Sequence, residues 1–198
     1  MKLFKLKKLK SNIDEKSSIN RTTQKNSIID NVLYVEDIDE VSFLSNEEKI
    51  NIEKIVFNTN VKDMNFIEFV NLCEVETTEN VKSIGKNAFS GCKSLTSVKL
   101  NDGLVIIGES AFKGTRIQSL ILPSTLKTID MKAFMYCDAL SRVQFNDGLT
   151  MIDSMAFYKT VLKKVVLPKS LQVVRNLTFA LCKELEYFEL NGEHTVLS

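Results

Sequence analysis

The chain contains no tryptophan, one histidine and two prolines in 198 residues, so the side chains from which common hydrolytic sites are built are scarce. No run reaches the ~18 consecutive apolar residues that a membrane-spanning helix needs. The opening MKLFKLKKLK is broken by lysines where a secretory signal requires an unbroken apolar core, which predicts a cytoplasmic protein. Four cysteines, Cys73, Cys92, Cys137 and Cys182, are too few for a disulfide scaffold and include no C-x-x-C pair; reduced thiols are expected, and a zinc knuckle is not. Neither a phosphate-binding G-x-x-x-x-G-K-[ST] loop nor a G-x-S-x-G nucleophile elbow occurs. His194 has no evident carboxylate to orient it, and a dyad with Cys182 would need a spatial closeness that the spacing does not supply. Asn101-Asp102-Gly103 starts like a calcium loop but lacks the remaining oxygen ligands. The expectation is a protein that is not an enzyme and that carries no cofactor and no metal.

What is present is globular in composition, at 44% hydrophobic and 26% charged, but the charge is unevenly placed. Residues 1–30 hold eight Lys/Arg against three acids, a net of +5; residues 31–80 hold three against twelve, a net of −9; residues 81–198 hold fifteen against ten, again +5. The first block, polar between residues 14 and 27, reads as a basic, flexible leader over 1–30. Its Leu3, Leu6, Leu9 and Ile13 fall on one helical face, with Lys2, Lys5, Lys7, Lys8 and Lys10 around the rest. Such a piece suits anionic lipid or nucleic-acid phosphates, and nucleic acid through these five lysines is one partner expectation.

Self-comparison gives the strongest signal. Phe89, Phe112, Phe134, Phe157 and Phe179 follow one another at steps of 23, 22, 23 and 22 residues. Ile84, Ile107, Ile129, Ile152 and Val174 stand five positions before each, and Ala88, Ala111, Ala133, Ala156 and Thr178 one before. Downstream comes L-x-x-V-x-L, as in Leu95/Val98/Leu100 and Leu140/Val143/Phe145, whose alternation reads as a short strand. Repeats with Cys92, Cys137 or Cys182 alternate with repeats carrying Thr115 or Thr160, so the true unit is a pair of 45 residues. This spacing puts the three cysteines two rungs apart, on the order of 10 Å, beyond disulfide reach; they read as small buried hydrophobes. The phenylalanines read as a core column.

The frame I-G-x-x-A-F-x-G-C-x-x-L-x-x-V-x-L, seen from Ile84 to Leu100, resembles the BspA-like leucine-rich repeat family over residues 61–190. The expected fold is an α/β-type repeat: a right-handed leucine-rich-repeat solenoid with one short strand and a helical turn per 22–23 residue repeat and an irregular N-terminal cap. The domain reading is leader 1–30, acidic cap 31–60 and solenoid 61–198, with a degenerate repeat at 61–80. Ser45 and Glu48 fit a helix capping box within the cap. The resemblance implies cell-surface and adhesive repeat proteins, with intracellular members as well.

Strand alternation sends two columns of side chains away from the core: Ser97, Ser119, Arg142, Lys164 and Tyr187, and Lys99, Ile121, Gln144, Val166 and Glu189. Ile121, Val166 and Tyr187 are apolar or aromatic where a solvated strand places polar residues. The functional expectation is a protein–protein interaction module, a scaffold or small inhibitor. Its partner-binding residues would be Lys99, Ile121, Arg142, Gln144, Lys164, Val166, Tyr187 and Glu189. The alternatives are the nucleic-acid or membrane-surface binder using the leader, and a surface adhesin. A thin C-terminal segment after Leu190 also predicts a homodimer through residues 181–198 by strand-edge pairing.

Overall fold

The computed structural model describes residues 26–191 and the backbone of 196–197. In chain order the strands are β1 (Ser27–Ile29), β2 (Val32–Val35), β3 (Lys54–Phe57), β4 (Glu74–Thr77), β5 (Ser83–Ile84), β6 (Ser97–Lys99), β7 (Ile106–Ile107) and β8 (Ser119–Ile121). They continue as β9 (Thr128–Ile129), β10 (Arg142–Gln144), β11 (Met151–Ile152), β12 (Lys164–Leu167), β13 (Val173–Val174), β14 (Tyr187–Leu190) and β15 (Val196–Leu197). A 3-10 helix, Ile38–Phe43, and one short α-helix, α1 (Asn46–Asn51), lie between β2 and β3. Ser45 and Glu48 close the expected capping box at the start of α1. Among the described residues no helix is long and apolar enough to cross a membrane.

Three sheets result. The first runs β1-β2-β3-β4-β6, the second β8-β10-β12-β14, and the third β5-β7-β9-β11-β13-β15. All pairs are parallel except β1 with β2, a hairpin closed by Asp30 and Asn31 at φ 50 and 64. Two consecutive positive φ values form the two-residue turn whose twist suits a hairpin. The parallel ladder extends upstream as far as β2, whose Val32–Val35 register with β3.

The core is the repeat frame folded inward. Phe66, Phe89, Phe112, Phe134 and Phe157 are fully buried, and their rings stack from Phe66 to Phe179 at centroid distances of 5.2–5.5 Å. Phe57 meets both Phe66 and Phe89 edge-on and closes the column at its N-terminal end. The 45-residue pairing has a physical cause. The Thr115 hydroxyl and the Cys137 thiol both donate to the Phe112 carbonyl, at 2.9 and 3.1 Å, and lie 3.3 Å from each other. Thr160 and Cys182 repeat this on the Phe157 carbonyl. The cysteines of the frame are thus buried as expected, and Cys137 and Cys182 are also weak donors.

Two features of the expected repeat are corrected. Each repeat contributes two strands, not one: the Ile84 position and its equivalents pair in register along the third sheet. The Ala-Phe segment is not a helical turn. The Phe89, Phe112 and Phe134 amides donate to Ala111, Ala133 and Ala156 of the following rung, at 2.7–2.8 Å, so they are not available to an i→i−4 ladder. On either side of the Phe, residues such as Asn87, Lys132 and Tyr136 sit at positive φ, which breaks a right-handed helix. The repeat is therefore almost wholly strand and turn.

Candidate functional site

The outward face of the first two sheets carries the two columns read from the sequence. Ser119, Arg142, Lys164 and Tyr187 are exposed and aligned by register, as are Ile121 and Gln144; Val166 and Glu189 are half-buried partners on β12 and β14. Ile121 is 66% exposed and Tyr187 46%, large values for apolar and aromatic side chains on a sheet whose opposite face is core.

The two ends of this face differ electrostatically. On the N-terminal side, the Lys54 ammonium lies 2.7 Å from Glu74 and 2.8 Å from Glu76, and Lys99 lies 2.6 Å from Glu76. Hydrogen bonds donated to Glu74 and then to Glu76 hold the Lys54 ammonium above its usual pKa, and Lys54 and Lys99 hold the Glu76 carboxyl below its own. Lys99 is therefore committed to a network within the first sheet. On the C-terminal side the cations lack such partners. Among the described residues, none of Arg142, Lys163 and Lys164 takes part in an ion pair. The Lys164 ammonium instead covers the Tyr187 ring at 4.5 Å, and the Tyr187 hydroxyl donates to Glu189 at 2.6 Å, which raises the phenol above its ordinary pKa.

A shallow groove of about 640 Å³ lies between β10 and β12, lined by Ser141 to Phe145 on one side and by Lys163, Lys164 and Val166 on the other. It gathers Arg142, Gln144, Lys164 and Val166 from the expected set, with Tyr187 and Glu189 on the next strand. The groove follows a gap in pairing. β8 and β10 register over three residues and β12 and β14 over four, but β10 and β12 meet only at Arg142 and Lys164. Phe145 directly follows β10, where the pairing has stopped. It occupies the strand-end position filled by Leu100, Leu122, Leu167 and Leu190 in other repeats, and its larger ring packs edge-on against Phe157 at 5.6 Å. Sequence reasoning missed Phe145, Ser141 and Lys163 as groove residues.

Cys92 and Cys137 are poor candidates for nucleophilic chemistry. Burial pushes the Cys92 thiol up to about 12 and the Cys137 thiol to about 11, so neither is a nucleophile at neutral pH. Among the described residues no group of His, Cys, Asp and Glu is placed to hold a metal. His194 and the leader lysines Lys2, Lys5, Lys7, Lys8 and Lys10 lie outside the described residues. Of the segment 181–198, Leu181, Tyr187, Phe188 and Leu190 are exposed.

A repeat frame of this kind, with stacked Phe rungs and parallel ladders, matches a known family model: the BspA type leucine rich repeat region, in six copies, over residues 59–186. The chain belongs to this family. Solved structures agree in fold. The BspA-type chain is similar to a leucine rich repeat protein of T. pallidum, with TM-score 0.66 and 21% identity over 92% of this chain and 86% of that one. It is also similar to a leucine rich cell surface protein of Faecalibacterium prausnitzii, with TM-score 0.52 and 19% identity over 89% of this chain and 56% of the other. A leucine-rich repeat protein of Bacteroides ovatus matches with TM-score 0.51 and 20% identity over 85% and 50% of the two chains. No curated protein matches the sequence. Leucine-rich repeats of this type are generally non-enzymatic and commonly serve as protein-interaction or surface-adhesin modules.

Proposed function

We propose that this BspA-type solenoid is a non-enzymatic interaction module whose outward sheet, centred on β8, β10 and β12, binds another protein and so acts as a scaffold or a small inhibitor. The observation that carries the reading is Ile121, 66% exposed on a sheet face beside cations that form no ion pairs among the described residues. A large apolar side chain beside arginine and tyrosine is the composition in which interface energy concentrates. The repeat supplies rigidity: fixed rungs present these side chains at strand spacing and lose little conformational entropy on binding.

Affinity capture from the native cell tests it, using the full chain, a chain lacking residues 1–25, and the full chain with Ile121→Glu. Capture that survives removal of 1–25 and is lost in Ile121→Glu, with unchanged circular dichroism, supports the face. Capture that requires residues 1–25 and ignores Ile121→Glu moves the function to the leader and overturns the reading.

A further inference from the structure

We propose that the opened rung between β10 and β12 receives an extended, carboxylate-rich segment of the protein partner, an inference that rests on the binding-face reading above and names the chemistry of its occupant. Arg142 and Lys164 are direct register partners, so two positive side chains stand opposite each other about 4.8 Å apart at the backbone, an arrangement that is destabilising by itself. Lys163 adds a third cation on the same groove wall. Elsewhere on the face the chain neutralises its lysines: Lys54 and Lys99 share Glu76, and Lys54 also holds Glu74. The groove cations receive no such carboxylate from the described residues. The missing counter-charge is what an acidic ligand supplies.

The shape of the site agrees with the charge. Beyond Arg142 and Lys164 the two strands do not pair, and there Gln144 and Ser141 offer amide and hydroxyl groups and Val166 an apolar floor to an extended backbone lying along the groove. An extended segment brings alternate side chains to one face, which lets carboxylates meet Arg142 and Lys164 while an apolar residue meets Ile121 or Val166. A single-stranded nucleic acid fits less well, because stacking needs an open aromatic face and the described face of Tyr187 is occupied by the Lys164 ammonium.

A phage-displayed library of random dodecapeptides, selected on the immobilised full chain at low salt, tests the proposal. The expected result is enrichment of peptides with several Asp or Glu and at least one apolar residue. For a synthetic peptide of the enriched sequence, Arg142→Glu/Lys164→Glu should weaken binding by about tenfold or more, and its Asn/Gln isostere should bind correspondingly worse. The charge-reversed variant, selected afresh, should enrich basic peptides. Enrichment of neutral or basic peptides that still depend on Ile121 would overturn the acidic assignment and leave the binding face standing. Enrichment of nothing that responds to Ile121→Glu, Arg142→Glu or Lys164→Glu would remove both. Tighter binding of a dT oligonucleotide than of any acidic peptide, lost on the same charge reversal, would also overturn it in favour of nucleic acid.

Discussion

Replacing Phe134 with alanine empties the middle of the aromatic column. Its ring is fully buried and lies between Phe112 at 5.3 Å and Phe157 at 5.2 Å, with interplanar angles of 5° and 8°. Losing the burial of a phenylalanine side chain costs roughly 1.5–3 kcal/mol. The benzyl group leaves a void on the order of 100 Å³, which at about 24 cal/mol per Å³ adds roughly 2 kcal/mol if the rungs do not collapse. Relaxation of the neighbouring rungs reduces the second figure, so the expected loss is about 3–5 kcal/mol. The backbone need not move, because the Phe134 amide bond to Ala156 at 2.8 Å is kept. Guanidinium unfolding followed by circular dichroism measures the change, with the slope m checked for constancy so that the midpoint shift reports stability. Phe179→Ala is the internal control. Phe179 is only half-buried, stacks on one side alone and meets Phe188 edge-on at 5.7 Å, so its loss should be clearly smaller. A Phe134→Ala change below about 1 kcal/mol, or one equal to that of Phe179→Ala, would refute the stacked core.

Three further outcomes are expected. Under native conditions at neutral pH a thiol reagent should modify exposed Cys73 quickly and leave Cys92 and Cys137 untouched until the chain unfolds; modification of three or more thiols at the Cys73 rate would contradict their burial. Because the Glu76 carboxyl is held below its ordinary pKa, its stabilisation is complete above that ordinary value and disappears as pH falls through the folded one. Glu76→Gln should thus cost about 1 kcal/mol at pH 7 and nothing in strong acid, and a cost independent of pH would refute the Lys54/Lys99 network. Leu181 sits at φ 58 and is half exposed, so Leu181→Asn, which tolerates that conformation better, should raise the unfolding midpoint by an amount worth about 0.5 kcal/mol; a drop would show that its side chain contributes more packing than its backbone stores strain.

The aromatic column, the burial of the frame cysteines and the phase of the outward columns were legible because each depends on a side chain recurring at a fixed step. A one-residue error in strand phase would have sent Ile121 inward and Leu120 outward, and the period-2 pattern excludes it. The second strand of each repeat was not legible, because two-residue ladders such as Ser83–Ile84 are too short to show alternation. The helical turn was expected from the frame and denied by hydrogen bonding between rungs, which no single repeat reveals. Asn87, Gly91 and Gly114 hinted at positive φ, but Tyr136, Lys159 and Leu181 hold the same conformation without the residue types that announce it. The β1–β2 hairpin fell across the boundary drawn between leader and cap, although Asp30-Asn31 between Ser27–Ile29 and Val32–Val35 carries the turn chemistry. The groove follows the short register between β10 and β12, which appears only when neighbouring rungs are assembled.

Hydrogen–deuterium exchange of the full chain, with and without its captured protein partner, tests the central claim most directly. The account predicts protection confined to β8, β10, β12 and their bordering residues 118–121, 141–145 and 163–167, with the strands of the third sheet unchanged. Protection restricted to residues 1–25, or to the third sheet with residues 141–145 and 163–167 unaffected, would contradict it.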